Sequence, residues 1–251
     1  MSTSPDASET SRTTIAVIGA GRLGGVLARA LTQAEFTVRV PLRKHEQLPA
    51  SDIALLCVPD AEIAAAARSA RPHVNLVGHV SGATPLDDVD FSMHPLQTFT
   101  GTEAPDVFHG IGAAIAGRTP EAEHQAERLA RALGAHPFHI DDAHRAGYHA
   151  AASIASNLVL TVLDAAEQVA RASGIRSDEA RDLLTPLVTR TVENWRSHGA
   201  KSALTGPIAR GDEQTVARQR AAITQQTPAL LPLFDRLCDS ARALATPKGS
   251  A

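Results

Sequence analysis

Ile15-Ala16-Val17-Ile18-Gly19-Ala20-Gly21-Arg22-Leu23-Gly24 is the stretch from which the rest of the chain can be read. The apolar run 14–18, rich in β-branched residues, predicts a buried strand. Residues 23–33 place Leu23, Leu27, Ala30 and Leu31 on one face and predict a helix. Between the two, Gly19, Gly21 and Gly24 hold the spacing G-x-G-x-x-G. Gly19 permits a tight turn, Gly21 lets backbone approach a pyrophosphate, and Gly24 lets the helix lie close to the strand. The free N–H groups at the helix start favour phosphate charge. The spacing alone is weak, but a strand before it and a helix after it predict a Rossmann-type dinucleotide-binding turn. The competing reading is a turn of the same shape that no longer binds a nucleotide.

Further strands are expected at 36–40, 53–58, 74–80, 91–93, 112–116 and 137–140, with helices at 61–70 and 121–133, the latter capped by Gly134. Alternating strands and helices imply an α/β domain with a mostly parallel sheet covered on both faces. From Asp141 the strand signals stop. Residues 143–173 read as one long helix with Ala151, Ala155, Leu158, Val159, Val162, Ala166 and Val169 on its apolar face. A second helix is expected after Ser177, kinked at Pro186, and two more at 213–224 and 228–244. The expected organisation is a disordered tail (1–12), a Rossmann domain (13–140) and an all-α domain (141–247) with a frayed end. No internal repeat is visible.

With 251 residues, 43% of them hydrophobic, the chain can bury a proper core in two modest domains. A net charge of −3 without a basic stripe gives no reason to expect nucleic acid. Cys57 and Cys238 lie far apart, which suits a reducing compartment. No run approaches the roughly 20 consecutive apolar residues of a membrane span, and residues 1–12 lack a secretory pattern. A cytoplasmic protein without a membrane partner is expected. The 11 histidines show no metal-ligand spacing, so no metal is expected. No G-x-S-x-G elbow marks a serine nucleophile.

After the second strand, an acid that would hold the ribose of NAD is expected. The chain instead reads Arg39-Val40-Pro41-Leu42-Arg43-Lys44. Arg43 and Lys44 favour a 2′-phosphate, hence NADP over NAD, unless they are simply solvated loop charges. Only 41–52 separates the second and third strands, too short for a helix. Either a loop makes the crossover or the strand order changes, and the adenosine wall is shortened.

Two segments follow strand ends, where open α/β sheets bind ligands: His79-Val80-Ser81-Gly82-Ala83-Thr84-Pro85 and Ser92-Met93-His94-Pro95-Leu96-Gln97-Thr98-Phe99. Ser81 and Gly82 offer a hydroxyl and a closely approachable backbone. His94 could give a proton or orient a carbonyl; the plainer reading is a histidine that holds a loop. On the long helix, His149, Ser153 and Ser156 share a face, with Asn157 beside them. Small polar residues there suit a ligand crevice between the domains or a partner helix. The segment 203–212, with Thr205, is either a substrate or dimer-contact loop or a plain connection.

Taken in order, G-A-G-R-L-G (19–24), V-P-D (58–60), H-V-S-G-A (79–83), M-H-P-L-Q-T-F (93–99), Y-H-A-A-A-S-I-A-S-N (148–157) and A-L-T-G-P-I-A-R-G-D (203–212) resemble a bacterial family. That family joins a Rossmann-like domain to a helical C-terminal domain of unknown function, within the 6-phosphogluconate dehydrogenase-like superfamily. The resemblance spans roughly residues 13 to 246. It implies an NADP-dependent oxidoreductase acting on a small keto acid (ketopantoate-like) or a cyclic imine (pyrroline-5-carboxylate-like). It also implies a homodimer formed through the helical domain. Gly19, Gly21, Arg22, Leu23 and Gly24 would hold the pyrophosphate, and Val58 and Pro59 would border the nicotinamide ribose. Ser81, Gly82, Ser153 and Thr205 would face substrate. Several relatives use a Lys on the first helix after the sheet, with an Asn a turn later. This chain has His149, Ser153 and Asn157 there and no Lys, so the expected acid is His149 or His94, with Asn157 orienting the substrate. The alternative is a non-catalytic nucleotide- or metabolite-binding protein with a degenerate cofactor site.

Overall fold

In the computed structural model, which describes residues 13–42 and 48–246, the expected strands form and join in one sheet. They are β1 (Thr14–Ile18), β2 (Thr37–Leu42), β3 (Ser51–Leu56), β4 (Val74–His79), β5 (Phe91–Pro95), β6 (Gly112–Gly117) and β7 (His136–His139). Their order is β2-β1-β3-β4-β5-β6-β7. β1 to β5 run parallel. β6 pairs antiparallel with β5 and parallel with β7, so the last two strands run the opposite way. β3 pairs with β1 on the side away from β2, instead of lying outside β2 as in the Rossmann order 3-2-1-4-5-6, so the short connection goes with a changed strand order. Arg43 and Lys44, the tail 1–12 and the end 247–251 lie outside the described residues.

Both sheet faces are buried, which is why the central strands read as unbroken apolar runs. Ile53 and Leu55 of β3 enter one core and Ala54 and Leu56 the other, as the two-residue period requires. The first core is closed by helix α1 (Arg22–Gln33), through Val26, Leu27 and Leu31, and by α3 (Pro120–Ala132), through Ala122, Ala126 and Leu129. The second is closed by α2 (Ile63–Ala70), through Ile63 and Ala67. Leu27 and Leu31 are fully buried, each worth roughly 1.5–3 kcal/mol. α3 starts at an N-cap, Thr119, whose hydroxyl accepts the Ala122 N–H at 3.2 Å, and it runs out into Gly134 at φ 77°.

The chain divides into two compact units that meet at Ser156/Asn157. Strand content ends near Ile140, as expected, but α4 (Arg145–Ala155) belongs with the sheet. The single helix expected over 143–173 is two. Ser156, at φ −128° and ψ −83°, separates α4 from α5 (Asn157–Ala172). An 18-residue window within Arg145–Ala172 reaches a mean hydropathy of 1.3 with none of it buried. By length and composition alone that segment could cross a membrane, and the break at Ser156 falls inside it.

The second unit continues with α6 (Ala180–Ala203), α7 (Glu213–Gln226) and α8 (Leu231–Ala245). α6 is preceded by Glu179 rather than capped by Ser177. Its backbone stays helical through Pro186, and the break in torsions falls at Gly199, at φ 74° and ψ 163°. Arg181 of α6 donates to both carboxylate oxygens of Glu167 on α5, at 2.9 and 3.1 Å. Leu158, Leu160, Leu183, Leu187 and Trp195 are 53–64% exposed.

Candidate functional site

β1 leads through α1 to β2 on one side, and β2 returns to β3 on the other. This opens a switch point beyond the carboxyl ends of β1 and β3, where open α/β sheets take ligands. Gly19, Gly21, Arg22, Leu23 and Gly24 form the turn there. Gly19 has φ 112°, and a Cβ on it would meet the Cys57 carbonyl oxygen at 2.4 Å. A Cβ on Gly24 would lie 1.9 Å from the Gly19 carbonyl oxygen. Those two glycines are required by the protein's own packing. Gly21 is exposed, and a Cβ there would meet no protein atom within 4 Å. α1 has no side-chain cap and no acid in its first turn, so the Arg22 and Leu23 N–H groups are free to meet an anion. The turn fits a pyrophosphate: of its three motif glycines, the one that the fold does not need is the one beside which a ligand would lie.

The next loop along the same edge follows β3 and holds Val58, Pro59 and Asp60. Cys57, at the strand's end, gives its N–H to Ile18 at 2.7 Å. Burial pushes its thiol up to about 12, which removes it as a nucleophile.

Beyond β4, His79 is fully buried. Its Nδ1 accepts the Ser81 N–H at 3.2 Å and its Nε2 lies 3.3 Å from the Pro85 carbonyl. One nitrogen accepts and the other donates, so the ring is the neutral Nε2–H tautomer. Desolvation lowers its pKa. Ser81 turns its hydroxyl inward, accepting the Ala83 and Thr84 N–H groups at 3.1 and 3.0 Å. Its hydroxyl therefore shapes the loop that presents Gly82.

β5 is set against β4 by a steric fit: a Cβ on Gly78 would sit 2.3 Å from the ring of its register partner Phe91. That pairing fixes Ser92 and His94 on one face of β5. α4 docks on this face with Arg145, Tyr148 and His149, which lie three and four residues apart and share one side of the helix. Arg145, 2% exposed, donates from Nε to Asp142 and from Nη2 to the buried Ser92 hydroxyl, both at 2.5 Å. Asp142 also accepts the Leu86 N–H at 3.0 Å.

One step along, the Tyr148 hydroxyl lies 2.7 Å from His94 Nδ1. The His94 ring meets Tyr148 and His149 edge-on, with centroids at 5.6 and 6.1 Å. Gly82 closes the cluster. A Cβ there would lie 2.9 Å from both His149 Cδ2 and His94 Cε1. Burial, then the neighbouring His149, lowers the pKa of His94 to about 4, and burial raises that of Tyr148 to about 12. At neutral pH the pair is uncharged.

Of the residues expected at the site, the sheet unit thus brings together Ser81, Gly82, His94 and His149. Ser153, half-buried, lies one turn after His149 on α4. The polar stripe 149/153/156 overlaps the docking face 145/148/149 at His149, and Ser153 and Ser156 are half-buried like it. Ser156 bonds its own helix, giving its hydroxyl to the Ala152 carbonyl at 2.7 Å. Asn157 and Thr205 fall in the second unit. Sequence reasoning missed Tyr148, Arg145 and His79. Tyr148 stands beside His149 in the sequence, and the repeat of 145, 148 and 149 at helical spacing was the signal available. Among the described residues, no three His, Cys, Asp or Glu side chains are grouped to hold a metal.

A glycine turn at a switch point, followed along one sheet edge by a neutral histidine–tyrosine cluster, defines a Rossmann-type unit, joined here to a helical one. Residues 111–241 match the domain of unknown function DUF2520, and the chain belongs to that family. The structure is similar to that of a candidate NADP oxidoreductase, BF3122, from Bacteroides fragilis, with TM-score 0.80 and 22% identity over 93% of this chain and 99% of that one. Protein TM1727 from Thermotoga maritima gives TM-score 0.77 and 21% identity over 92% and 99%. Plasmodium falciparum pyrroline carboxylate reductase with NADP bound gives 0.58 and 10% over 94% and 100%. At these identities the likeness is one of fold. No curated protein matches the sequence.

Proposed function

We propose that this chain is an NADP-dependent reductase of a small keto acid, ketopantoate-like, or of a cyclic imine, pyrroline-5-carboxylate-like. The observation that carries the reading is Gly21. It needs no glycine for its own packing, yet stands before an uncapped helix start at the switch point, with the His94 cluster on the same sheet edge. The fold neighbours named as a candidate NADP oxidoreductase and as an NADP-bound reductase support it. The choice of NADP over NAD rests on Arg43 and Lys44 and on the missing acid after β2.

In this reading the Arg22 and Leu23 N–H groups hold the pyrophosphate, and Val58 and Pro59 border the nicotinamide ribose. The bound nicotinamide supplies a hydride. The residues of the chain position and polarise. Gly82 and the Ser81 loop form the floor on which the substrate rests. His94, neutral with a pKa near 4, acts as a hydrogen-bond donor, and the proton-donor role falls to His149. The exposed leucines and Trp195 of α5 and α6 support a homodimer formed through the helical unit, and the free thiols support a reducing, cytoplasmic setting.

The test is binding of NADPH and NADH to the purified protein by calorimetry, then turnover on keto acids and cyclic imines. Micromolar NADPH affinity, much weaker NADH and turnover support the proposal. Tight binding without turnover on either class marks a non-catalytic binder, and absence of binding removes the reductase reading.

A further inference from the structure

His94 Nδ1 is engaged by Tyr148, whereas its Nε2 has no hydrogen-bond partner among the described residues and is not among the buried unsatisfied atoms. That nitrogen is therefore not sealed from solvent. The Nδ1–Tyr148 bond can be made in two ways. If the ring donated from Nδ1, the Tyr148 hydroxyl hydrogen would need another acceptor, and none is bonded to it among the described residues. A half-buried donor left without an acceptor is costly. If Tyr148 donates, its hydrogen is used and the ring keeps its remaining hydrogen on Nε2. Gly82 packs against the Nδ1–Cε1 edge and His149 against the ring at 77°, so the ring cannot flip to exchange its nitrogens without moving both. The neighbouring His79 is held in the same Nε2–H form by its own two partners.

We propose that Tyr148 is a positioning residue that donates its hydroxyl hydrogen to His94 Nδ1, so that His94 offers an Nε2–H donor to an uncharged acceptor, a carbonyl oxygen, in preference to a protonated cyclic imine. This rests on the reductase reading and chooses between the two substrate classes named there. An Nε2–H donor pointed at the reacting group stabilises negative charge developing on a carbonyl oxygen. It faces a protonated imine nitrogen donor to donor, with nothing to accept its hydrogen. The buried Arg145 cation, on the same helix face, adds to the disadvantage of a cationic substrate.

The tautomer is tested without cofactor or turnover. Protein labelled with 15N-histidine is observed by long-range 1H–15N correlation at neutral pH, with His94→Gln used to assign the resonance. A proton held on Nε2 in the wild type, and lost to a mixture of tautomers in Tyr148→Phe, is the expected result. Nδ1 protonation in the wild type overturns the proposal, as does an unchanged His94 signal in Tyr148→Phe.

In kinetics, Tyr148→Phe should lower kcat on keto acids roughly tenfold, the order of one hydrogen bond, with NADPH affinity within about twofold of wild type. Wild-type preference for cyclic imines over keto acids refutes the choice of substrate class. Failure of the wild type to bind NADPH removes the reductase reading and the substrate choice with it, while the NMR result still decides the tautomer.

Discussion

Gly21→Ala and Gly24→Ala are chemically the same change, one turn apart, and the structure assigns them opposite consequences. At Gly21 (φ −72°, ψ −172°) the backbone suits alanine, and the added methyl meets nothing within 4 Å. Alanine caps a helix less well than glycine by about 0.5 kcal/mol. Restricting the unfolded chain returns about 0.4–1 kcal/mol. The net change is near zero, and Tm should move by less than about 2 °C at roughly 2–4 °C per kcal/mol. The methyl does, however, stand where a pyrophosphate would approach the Arg22 and Leu23 N–H groups. Loss of one charge-assisted hydrogen bond, about 1.5–3 kcal/mol, weakens NADPH binding about 10- to 150-fold. At Gly24 the methyl would sit 1.9 Å from the Gly19 carbonyl oxygen and 3.1 Å from Cys57 Cβ. Backbone must shift, at about 3 kcal/mol, and Tm should fall by about 6–12 °C. Scanning calorimetry and NADPH titration of the two variants decide the matter. Unchanged NADPH affinity in a well-folded Gly21→Ala would refute the reasoning, because the fold itself has no use for that glycine.

Three further outcomes follow from the same structure. His94 and His79 bind protons more weakly folded than unfolded. Between pH 6.5 and about 4 the unfolded chain therefore holds more protons, and stability falls as pH falls, by up to about 1.4 kcal/mol per unit for each histidine. Urea unfolding across that range should show the slope, and His94→Gln should flatten it; the carboxylates with lowered pKa, such as Asp52 and Glu103, act from the bottom of that window downward. Arg145→Met leaves the buried Ser92 hydroxyl without its donor and Asp142 without its ion pair, and should cost about 3 kcal/mol. A fall in Tm of less than about 2 °C would mean that Arg145 does not tie α4 to β5. Leu187→Glu places a charge on the exposed apolar face of α6 and should convert the proposed dimer to monomers in sedimentation velocity, with NADPH affinity retained by the folded protein.

The glycine turn and the alternation of strands and helices were legible because each is written in contiguous residues. The end of β2 was less so. It continues through Pro41 to Leu42, which a proline would forbid in a central strand but not at an edge, where its missing N–H costs no ladder bond; only the strand order reveals that β2 is an edge. The reversal of β6 and β7 could not be read, since strand direction depends on how the chain returns through 96–111. The break at Ser156 carries no glycine or proline to announce it. At the site, His94 and His149 were each identifiable, but their partnership joins residues 55 positions apart in sequence, brought together by the fit of Phe91 over Gly78 and of Arg145 on Ser92. Tyr148 was overlooked because the polar stripe 149/153/156 drew the reading to its neighbour His149.

The reversal between β5 and β6 also sets a length. The carboxyl-end loops stop at β5; next to it lies the amino end of β6, where the Gly112 carbonyl accepts the Leu96 N–H at 2.8 Å. From β1 to β5 there are three strand intervals, about 14 Å at the usual spacing. The sheet edge is therefore a ruler with two marks, the glycine turn after β1 and the His94 cluster at β5, where the row of carboxyl ends stops. A ligand anchored by its phosphates at the first mark can present to the second only the atoms that lie about that far along it, so strand polarity, fixed when the chain folds, selects which end of a bound molecule can react.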